Sequence, residues 1–366
     1  MQQSSFVQPN MWDGYTWFQD IKECYAALYD VTSRELFASQ MLNDLGFDPM
    51  YVNQMALVEN RFADAPYGPS QILLQQVIAN KQRMFVYGIG NYGKKWCEYL
   101  QSQGANLVGF FDRGYQDKPT CFGLPVLPPP VSTEGFEDCC VLVTPVDFID
   151  SICEALRRSG FSEEQIFRGC PQKQEDIEHQ YFDFPDKYPK GGAFVDAGCF
   201  DCGTSLRFVR WCQGAYSKIF AFEPDAQNLE RCRQVAREHD IQNIEFYQAG
   251  LYDCAGQAGF SAGGTSSSRL DQAGDTAIPL VTLDEIVGDT VVSFLKMDIE
   301  GAEAAALRGA AHIIRRDRPL CAISAYHKPG DVLVLMQYLK TLVPEYRFAL
   351  RHYSNIDSET VLYAFL

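Results

Sequence analysis

Asp196, Gly198 and Gly203 in the stretch FVDAGCFDCGTSLRF, with Glu223 in FAFEPD beyond it, are spaced for binding a nucleotide. An apolar run ends in Asp196 and turns through the two glycines. It then enters a segment whose Leu206, Phe208 and Trp211 suit one face of a helix. A second apolar run ends in Glu223 and stops at Pro224. Strand, glycine turn, helix, strand and acid make the βαβ unit that holds adenosine-containing cofactors. The glycines admit backbone N–H groups close to a ligand, and the acid accepts hydrogen bonds from ribose hydroxyls.

Further along, Lys296, Asp298 and Glu300 alternate in FLKMDIEGAE. On a strand that period puts Lys296 and Asp298 on one side, with Asp298 at the tip. Glu303, beyond Gly301, falls at a helix entrance, where an acid also complements the helix dipole. His327 follows the run LCAISAY at another strand end, and an imidazole titrating near pH 6.5 suits a general base. His352 in LRHYS is a weaker candidate for shaping an acceptor pocket. The carboxylates with His327 would also suit Mg²⁺ or Mn²⁺. Nothing in the spacing demands a metal, and none is expected. Cys199-x-x-Cys202 has no second pair at comparable spacing, so it reads as incidental to the loop and not as a zinc site.

These residues need a scaffold. Apolar runs predict strands at 193–197, 218–222, 243–248, 292–297, 319–325, 346–351 and 360–365, alternating with helices. The last two join through the polar turn SNIDSE as an antiparallel hairpin. Upstream, residues 81–170 read as a separate α/β unit. MFVYGIGNYG delivers Gly88, Gly90 and Gly93 into a helix, and NLVGFFD ends in Asp112, 24 residues after Gly88. That is an accessory nucleotide loop with a ribose-binding acid near the usual offset. A proline-rich loop, the strand CCVLVTP and a helix near 152–156 follow. Residues 1–80 read as a helical segment. One helix carries Trp17, Phe18, Ile21, Cys24, Tyr25 and Leu28, a second opens at Thr32 with Glu35 as a capping box, and a third runs through Ile72 to Ile78. It is expected to pack or oligomerise and to support the small α/β domain. The polar stretch 171–192, with its prolines and Gly-Gly, reads as the boundary before a domain at 193–366.

The segments VDAGCFDCGTS, FAFEPD, VTLDEIV, FLKMDIEGAEAAALRGA, LCAISAYHKPGDV and LRHYSNIDSETVLYAF span nearly all of 194–366. Together they resemble the FkbM family of methyltransferases. The resemblance implies an α/β fold: a seven-stranded Rossmann-like class I methyltransferase domain, here preceded by a smaller Rossmann-like α/β domain and the helical N-terminal segment. It implies methyl transfer from S-adenosylmethionine to an oxygen of a sugar, polysaccharide or secondary metabolite. Asp196 would then orient the loop and touch the cofactor's amino end, Gly198 and Gly203 would allow backbone approach, and Glu223 would bind the ribose. Asp298 and His327 become the catalytic pair, and Lys296, Glu300, Glu303 and His352 the acceptor-binding set. The loop departs from the family at Cys202, where glycine is usual, and at Gly203, where a polar residue is usual. The glycine looks displaced by one position, and a Cys side chain there could crowd the cofactor. The small glycine-loop unit resembles nucleotide- or sugar-nucleotide-binding modules.

Composition limits the partners. A net charge of −16 over 366 residues disfavours nucleic acid and anionic membrane. No apolar run approaches the roughly 18 residues of a membrane span. The start MQQSSFVQPN lacks the features of a signal peptide, and thirteen scattered cysteines read as reduced, mostly buried thiols, so the cytoplasm is expected. The expected function is O-methylation of a small-molecule or glycan acceptor, with homo-oligomerisation through the N-terminal helices. The alternatives are a non-catalytic nucleotide-sugar-binding scaffold and an oxidoreductase built on the Gly88 loop. Specificity would come from loops such as 261–275.

Overall fold

The computed structural model describes residues 14–44, 76–145, 148–169, 178–261, 269–270, 276–354 and 358–366. They fall into two units, one from the described parts of 1–55 and 174–366 and the other from those of 56–173.

Helices α1 (Gly14–Ala27) and α2 (Val31–Asp44) come first. Their cap differs from the expected Thr32–Glu35 box: α2 opens one residue earlier, and Asp30 Oδ1 accepts the Ser33 N–H at 2.9 Å. Cys24, Leu28, Leu36 and Phe37 are buried in one cluster with Val195, Leu339 and Phe348. The two helices thus belong to the C-terminal unit, which corrects the expectation that they support the small α/β domain. They also cover a sheet edge, a site otherwise open to strand pairing, with Tyr29 N–H donating to Phe348 O at 2.6 Å. The third helix is described only over 76–79, because most of its expected range lies outside the described residues.

In the smaller unit, β1 (Arg83–Tyr87), α3 (Asn91–Ser102), β2 (Asn106–Phe111), β3 (Thr120–Cys121), β4 (Leu124–Leu127), β5 (Cys139–Val143), α4 (Ile149–Arg158) and β6 (Ile166–Arg168) follow in order. The sheet runs β3-β4-β2-β1-β5-β6. All pairs are parallel except β3–β4. Every residue of β5 is buried, as a central parallel strand requires. Strands β3, β4 and β6 are too short and proline-flanked to show as apolar runs.

The larger unit is built on β7 (Ala193–Ala197), α5 (Gly203–Trp211), β8 (Ile219–Phe222), α6 (Ala226–Glu238) and β9 (Ile244–Tyr247). A small sheet follows from β10 (Gly250–Leu251), β11 (Gly256–Ser261), β12 (Arg269–Leu270) and β13 (Thr276–Val281). The chain returns through α7 (Leu283–Val287), β14 (Val292–Met297), α8 (Glu303–Arg308), α9 (Ala311–Asp317), β15 (Leu320–Ser324), α10 (Asp331–Leu342), β16 (Arg347–His352) and β17 (Thr360–Phe365). Counted in chain order, the seven main strands lie third, second, first, fourth, fifth, seventh, sixth. Only the seventh is antiparallel to its neighbours. Sequence reasoning placed these seven strands within a residue or so and missed the small sheet. Gly256 and Gly259 in β11 and Pro279 in β13 remove the alternation that marks a strand.

The sheet order reverses between β7 and β14. Parallel strands there send their following loops to opposite faces, which opens a crevice at their C-terminal ends.

The stretch 178–188, expected within the domain boundary, packs into the larger unit instead. Tyr181, Phe182, Phe184 and Tyr188 are buried against Phe194, Phe208 and Tyr363.

Candidate active site at the sheet crossover

Asp196 on β7 and Lys296 on β14 are register partners beside the crevice. Lys296 Nζ lies 3.1 Å from Asp196 Oδ1, and the two side chains are 3% and 0% exposed. The ammonium also donates to the carbonyls of Ala197 (3.2 Å) and Gly198 (2.6 Å). Burial pulls the Lys296 pKa down, but Asp196 and Asp298 outweigh it and hold the group above the ordinary lysine value. Lys296 is therefore a buried strut for the loop after β7 and not an acceptor-binding residue. Asp196 completes the brace by accepting from Ser205 Oγ of α5 at 2.7 Å. Fully buried, it works through the loop and the helix.

Gly198 has φ +78°, and a β-carbon there would lie 1.8 Å from the Asp298 carbonyl oxygen. Only glycine fits. Gly203 is the first residue of α5 and lacks a left-handed φ; Cys202 takes that conformation, with φ +67°. The turn has not re-formed around Gly203. Cys202 is fully buried in the cluster of Phe208 and Cys232, so its thiol points into the core and does not crowd the loop. Cys199 Sγ lies 3.5 Å from Cys232 Sγ in the same cluster. Burial helps push the Cys199 thiol up to about 11, so these thiols are protonated at neutral pH.

Glu223 follows β8 and is 6% exposed. Its carboxylate accepts from the N–H groups of Phe200 (3.1 Å) and Asp225 (2.9 Å), tying the β7 loop to the β8 end. Burial pushes its pKa up to about 7.

Asp298 follows β14 directly. Its Oδ2 accepts from Tyr181 OH at 2.7 Å, and its N–H donates to Ala197 O at 3.0 Å. Burial would raise its pKa, but Lys296 and His327 hold it below the usual carboxylate value. His327 Nε2 lies 3.5 Å from Asp298 Oδ1 and 3.8 Å from Glu300 Oε2, while Nδ1 lies 3.0 Å from Glu303 Oε1. Burial lowers the imidazole pKa, yet Glu303, Asp298 and Glu300 together raise it to about 9. The surrounding carboxylates thus favour the protonated imidazole, which runs against the expectation of one free to accept a proton.

Glu300 is pushed up to about 7, first by burial and then by Asp298. It keeps a side chain 33% exposed, so it can face a ligand. Glu303, by contrast, is 1% exposed and accepts from Ile299 N–H (2.9 Å) and Gly301 N–H (3.3 Å). It orients His327 and the loop and does not reach an acceptor. His352 is 4% exposed, with Nδ1 2.8 Å from Thr360 Oγ1 across the terminal hairpin, so it shapes no pocket wall.

Three participants went unseen in the sequence. Tyr181 bonds Asp298, Gln180 donates to Glu359 Oε2 at 2.7 Å, and Glu359 itself is raised to about 7 by burial and by Asp298. The excess of aromatics in YFDFPDKY was the available signal. The stretch 261–275, expected to set specificity, lies outside the described residues except at 261 and 269–270.

In the smaller unit the Gly88 loop and Asp112 do come together. Asp112 Oδ2 accepts from Ile89 N–H at 3.0 Å and Oδ1 from Gly114 N–H at 2.7 Å. A β-carbon at Gly93 would lie 2.0 Å from Gly88 O, so that glycine serves strand–helix packing, while Gly90 meets nothing within 4 Å.

No curated protein matches the chain. Among solved structures, methyltransferase FkbM from Methylobacillus flagellatus KT is 21% identical, covering 87% of this chain and 100% of that one at a TM-score of 0.46. An rRNA methylase from Streptococcus thermophilus is 16% identical, covering 51% and 92% at a TM-score of 0.34. A Streptococcus mutans protein in complex with SAH is 13% identical, covering 53% and 99% at a TM-score of 0.35. A family model described as the methyltransferase FkbM domain matches from Ala197, the last residue of β7, to Leu350 in β16. That span takes in Glu223, Asp298 and His327, and over it this chain is similar to the methyltransferase FkbM domain.

Proposed function

We propose that the larger unit transfers a methyl group from S-adenosylmethionine to a hydroxyl oxygen of a small-molecule or glycan acceptor. The observation that carries this reading is the meeting of the Gly198 turn, Glu223 and Asp298 at one sheet crossover. A turn at Gly198 that no side chain blocks and a strand-end carboxylate at Glu223 suit the close approach of a ribose and an amino-acid tail. The residues therefore fit the cofactor.

S-adenosylmethionine supplies a methyl on a sulfonium centre whose leaving group is already activated. What remains for the protein is to align the acceptor and manage its hydroxyl proton. Lys296 and Asp196 fix the loop that would carry the cofactor. Asp298, held ionised, and the partly exposed Glu300 supply acceptors for a substrate hydroxyl at the same rim.

Acidic composition supports a neutral or weakly charged acceptor over a polyanion. No described helix is long and apolar enough to cross a membrane. We assign the protein to the cytoplasm, its N-terminal helices to self-association, and the Gly88 loop to an acceptor-side nucleotide, as parts of the same proposal.

Calorimetric titration with S-adenosylmethionine and S-adenosylhomocysteine tests the reading. Micromolar binding of both is expected, followed by label transfer to one of a panel of glycans and sugar nucleotides. Binding of neither, by demonstrably folded protein, overturns it.

A further inference from the structure

The outer end of β14 gathers several carboxylates around few cations among the described residues. Asp298, Glu300 and Glu303 surround one imidazole, and Glu359 adds its charge to the same cluster. The Lys296 ammonium is already committed to Asp196, and the Lys328 ammonium, beside the cluster, donates to Gly301 O.

Both nitrogens of the imidazole at the centre are buried, and neither makes a hydrogen bond of good geometry among the described residues. Its Nδ1 lies 3.0 Å from Glu303 Oε1, and that carboxylate is itself fixed by the N–H groups of Ile299 and Gly301. Nε2 points the other way, toward Asp298 and Glu300, and makes no hydrogen bond among the described residues. The His327 side chain is only 9% exposed. Asp298 Oδ1, facing it, is likewise buried without a hydrogen-bond donor. Two bare, converging ligand atoms in a buried setting call for a partner that the described residues do not provide.

We propose that Asp298, Glu300 and His327 bind a hard divalent cation, Mn²⁺ or Mg²⁺, with Glu303 as the residue that positions the imidazole. One donor atom from each of the three lies within 4.8 Å of the other two. Octahedral bonds of about 2.1 Å set neighbouring donors about 3.0 Å apart. The observed 3.5 and 3.8 Å separations are each within an ångström of that spacing. Two carboxylate oxygens and one imidazole nitrogen, without a thiolate, are the donor set of a hard ion. The order Glu303, His327, cation is a carboxylate–histidine–metal chain, which fixes the tautomer and raises the basicity of the ligand nitrogen. With Glu300 one-third exposed, the ion is reached from solvent, and three protein donors leave positions for water or acceptor oxygens. This inference rests on the cluster's geometry and stands apart from the methyl-transfer reading.

The test uses the full chain, stripped with EDTA, dialysed, and titrated with MnCl₂ in the calorimeter and by electron paramagnetic resonance of the free ion. One Mn²⁺ per chain is expected. Glu300→Gln and His327→Gln should each weaken binding by at least ~10-fold, and Glu303→Gln by about the same while keeping the stoichiometry. Circular dichroism establishes that each variant is folded, and Glu300→Gln, isosteric and partly exposed, carries the test if His327→Gln does not fold. Wild-type protein that takes up no stoichiometric Mn²⁺, or an affinity that survives the substitutions, overturns the site. A parallel titration with S-adenosylmethionine separates the two readings: donor binding without Mn²⁺ sinks only the metal site, and Mn²⁺ binding without donor sinks only the methyl transfer.

Discussion

Gly198 and Asp298 meet backbone to backbone where the two halves of the large sheet part: a β-carbon on Gly198 would lie 1.8 Å from the Asp298 carbonyl oxygen. The contact couples the loop after β7 to the loop after β14, so the shape of the loop proposed to hold the cofactor depends on a residue with no side chain. Gly198→Ala adds both the clash and the left-handed strain of φ +78°. It should destabilise the larger unit by at least about 2 kcal/mol and weaken S-adenosylhomocysteine binding by at least ~10-fold. Thermal melting and calorimetry on the variant check this, and unchanged affinity would show that the loop does not hold the cofactor.

Lys296 and Asp196 form a buried pair that also anchors two loop carbonyls. Removing one partner strands the other charge in the core. Lys296→Met should cost about 3–5 kcal/mol in urea denaturation. The double variant with Asp196→Asn should recover part of that loss, because the uncompensated charge is gone. If the single and double variants were equally unstable, the ammonium's bonds to the loop carbonyls would outweigh the ion pair.

Glu223 makes stability depend on pH near neutrality. Its pKa is about 7 in the folded protein against an ordinary 4.5, with burial as the largest cause. The folded state therefore holds this proton more tightly than the unfolded one. Its contribution is complete below pH 4.5 and declines as pH rises through 7, by about 3 kcal/mol in all. Glu223→Gln, neutral throughout, should abolish that decline between pH 5 and 8 in a denaturation series. Parallel slopes for the two proteins would mean that the carboxyl is not desolvated in solution.

What was legible in the sequence was local. Seven strands announced themselves as apolar runs, and Asp196, Glu223, Asp298 and His327 stood at or just beyond their ends, where a parallel sheet collects ligand-binding groups. The alternation of Lys296 and Asp298 suggested one side of a strand, but β14 ends at Met297, and periodicity says nothing of depth. Only the structure shows Lys296 buried under the loop while Glu300 emerges. Tyr181 reaches Asp298 across 117 residues of chain, from a stretch whose prolines and charges read as a boundary. The aromatics of that stretch signal burial, but nothing local says which distant residue they pack against. The Cys202 position shows the opposite limit: the departure from glycine was visible, yet the backbone kept the left-handed turn and placed the thiol in the core.

Asp30 and Arg351 clamp the N-terminal helices to the sheet edge. Arg351 Nη2 lies 2.6 Å from Asp30 Oδ2, while Asp30 Oδ1 caps α2 through the Ser33 N–H. Burial would raise the Asp30 pKa, but hydrogen bonds from Arg351 and Ser33 outweigh it and hold the group at about 2, below its ordinary 3.8. The unfolded state thus binds this proton more readily, so the stabilisation is present above pH 3.8 and lost as pH falls through 2. Asp30→Ala removes ion pair and cap together and should cost about 2–3 kcal/mol at pH 7. Asp30→Asn keeps a capping oxygen and should cost less. The gap between wild type and Asp30→Ala should narrow as denaturation is repeated from pH 7 toward pH 3. A gap independent of pH would mean that loss of the cap, and not of the ion pair to Arg351, accounts for the destabilisation.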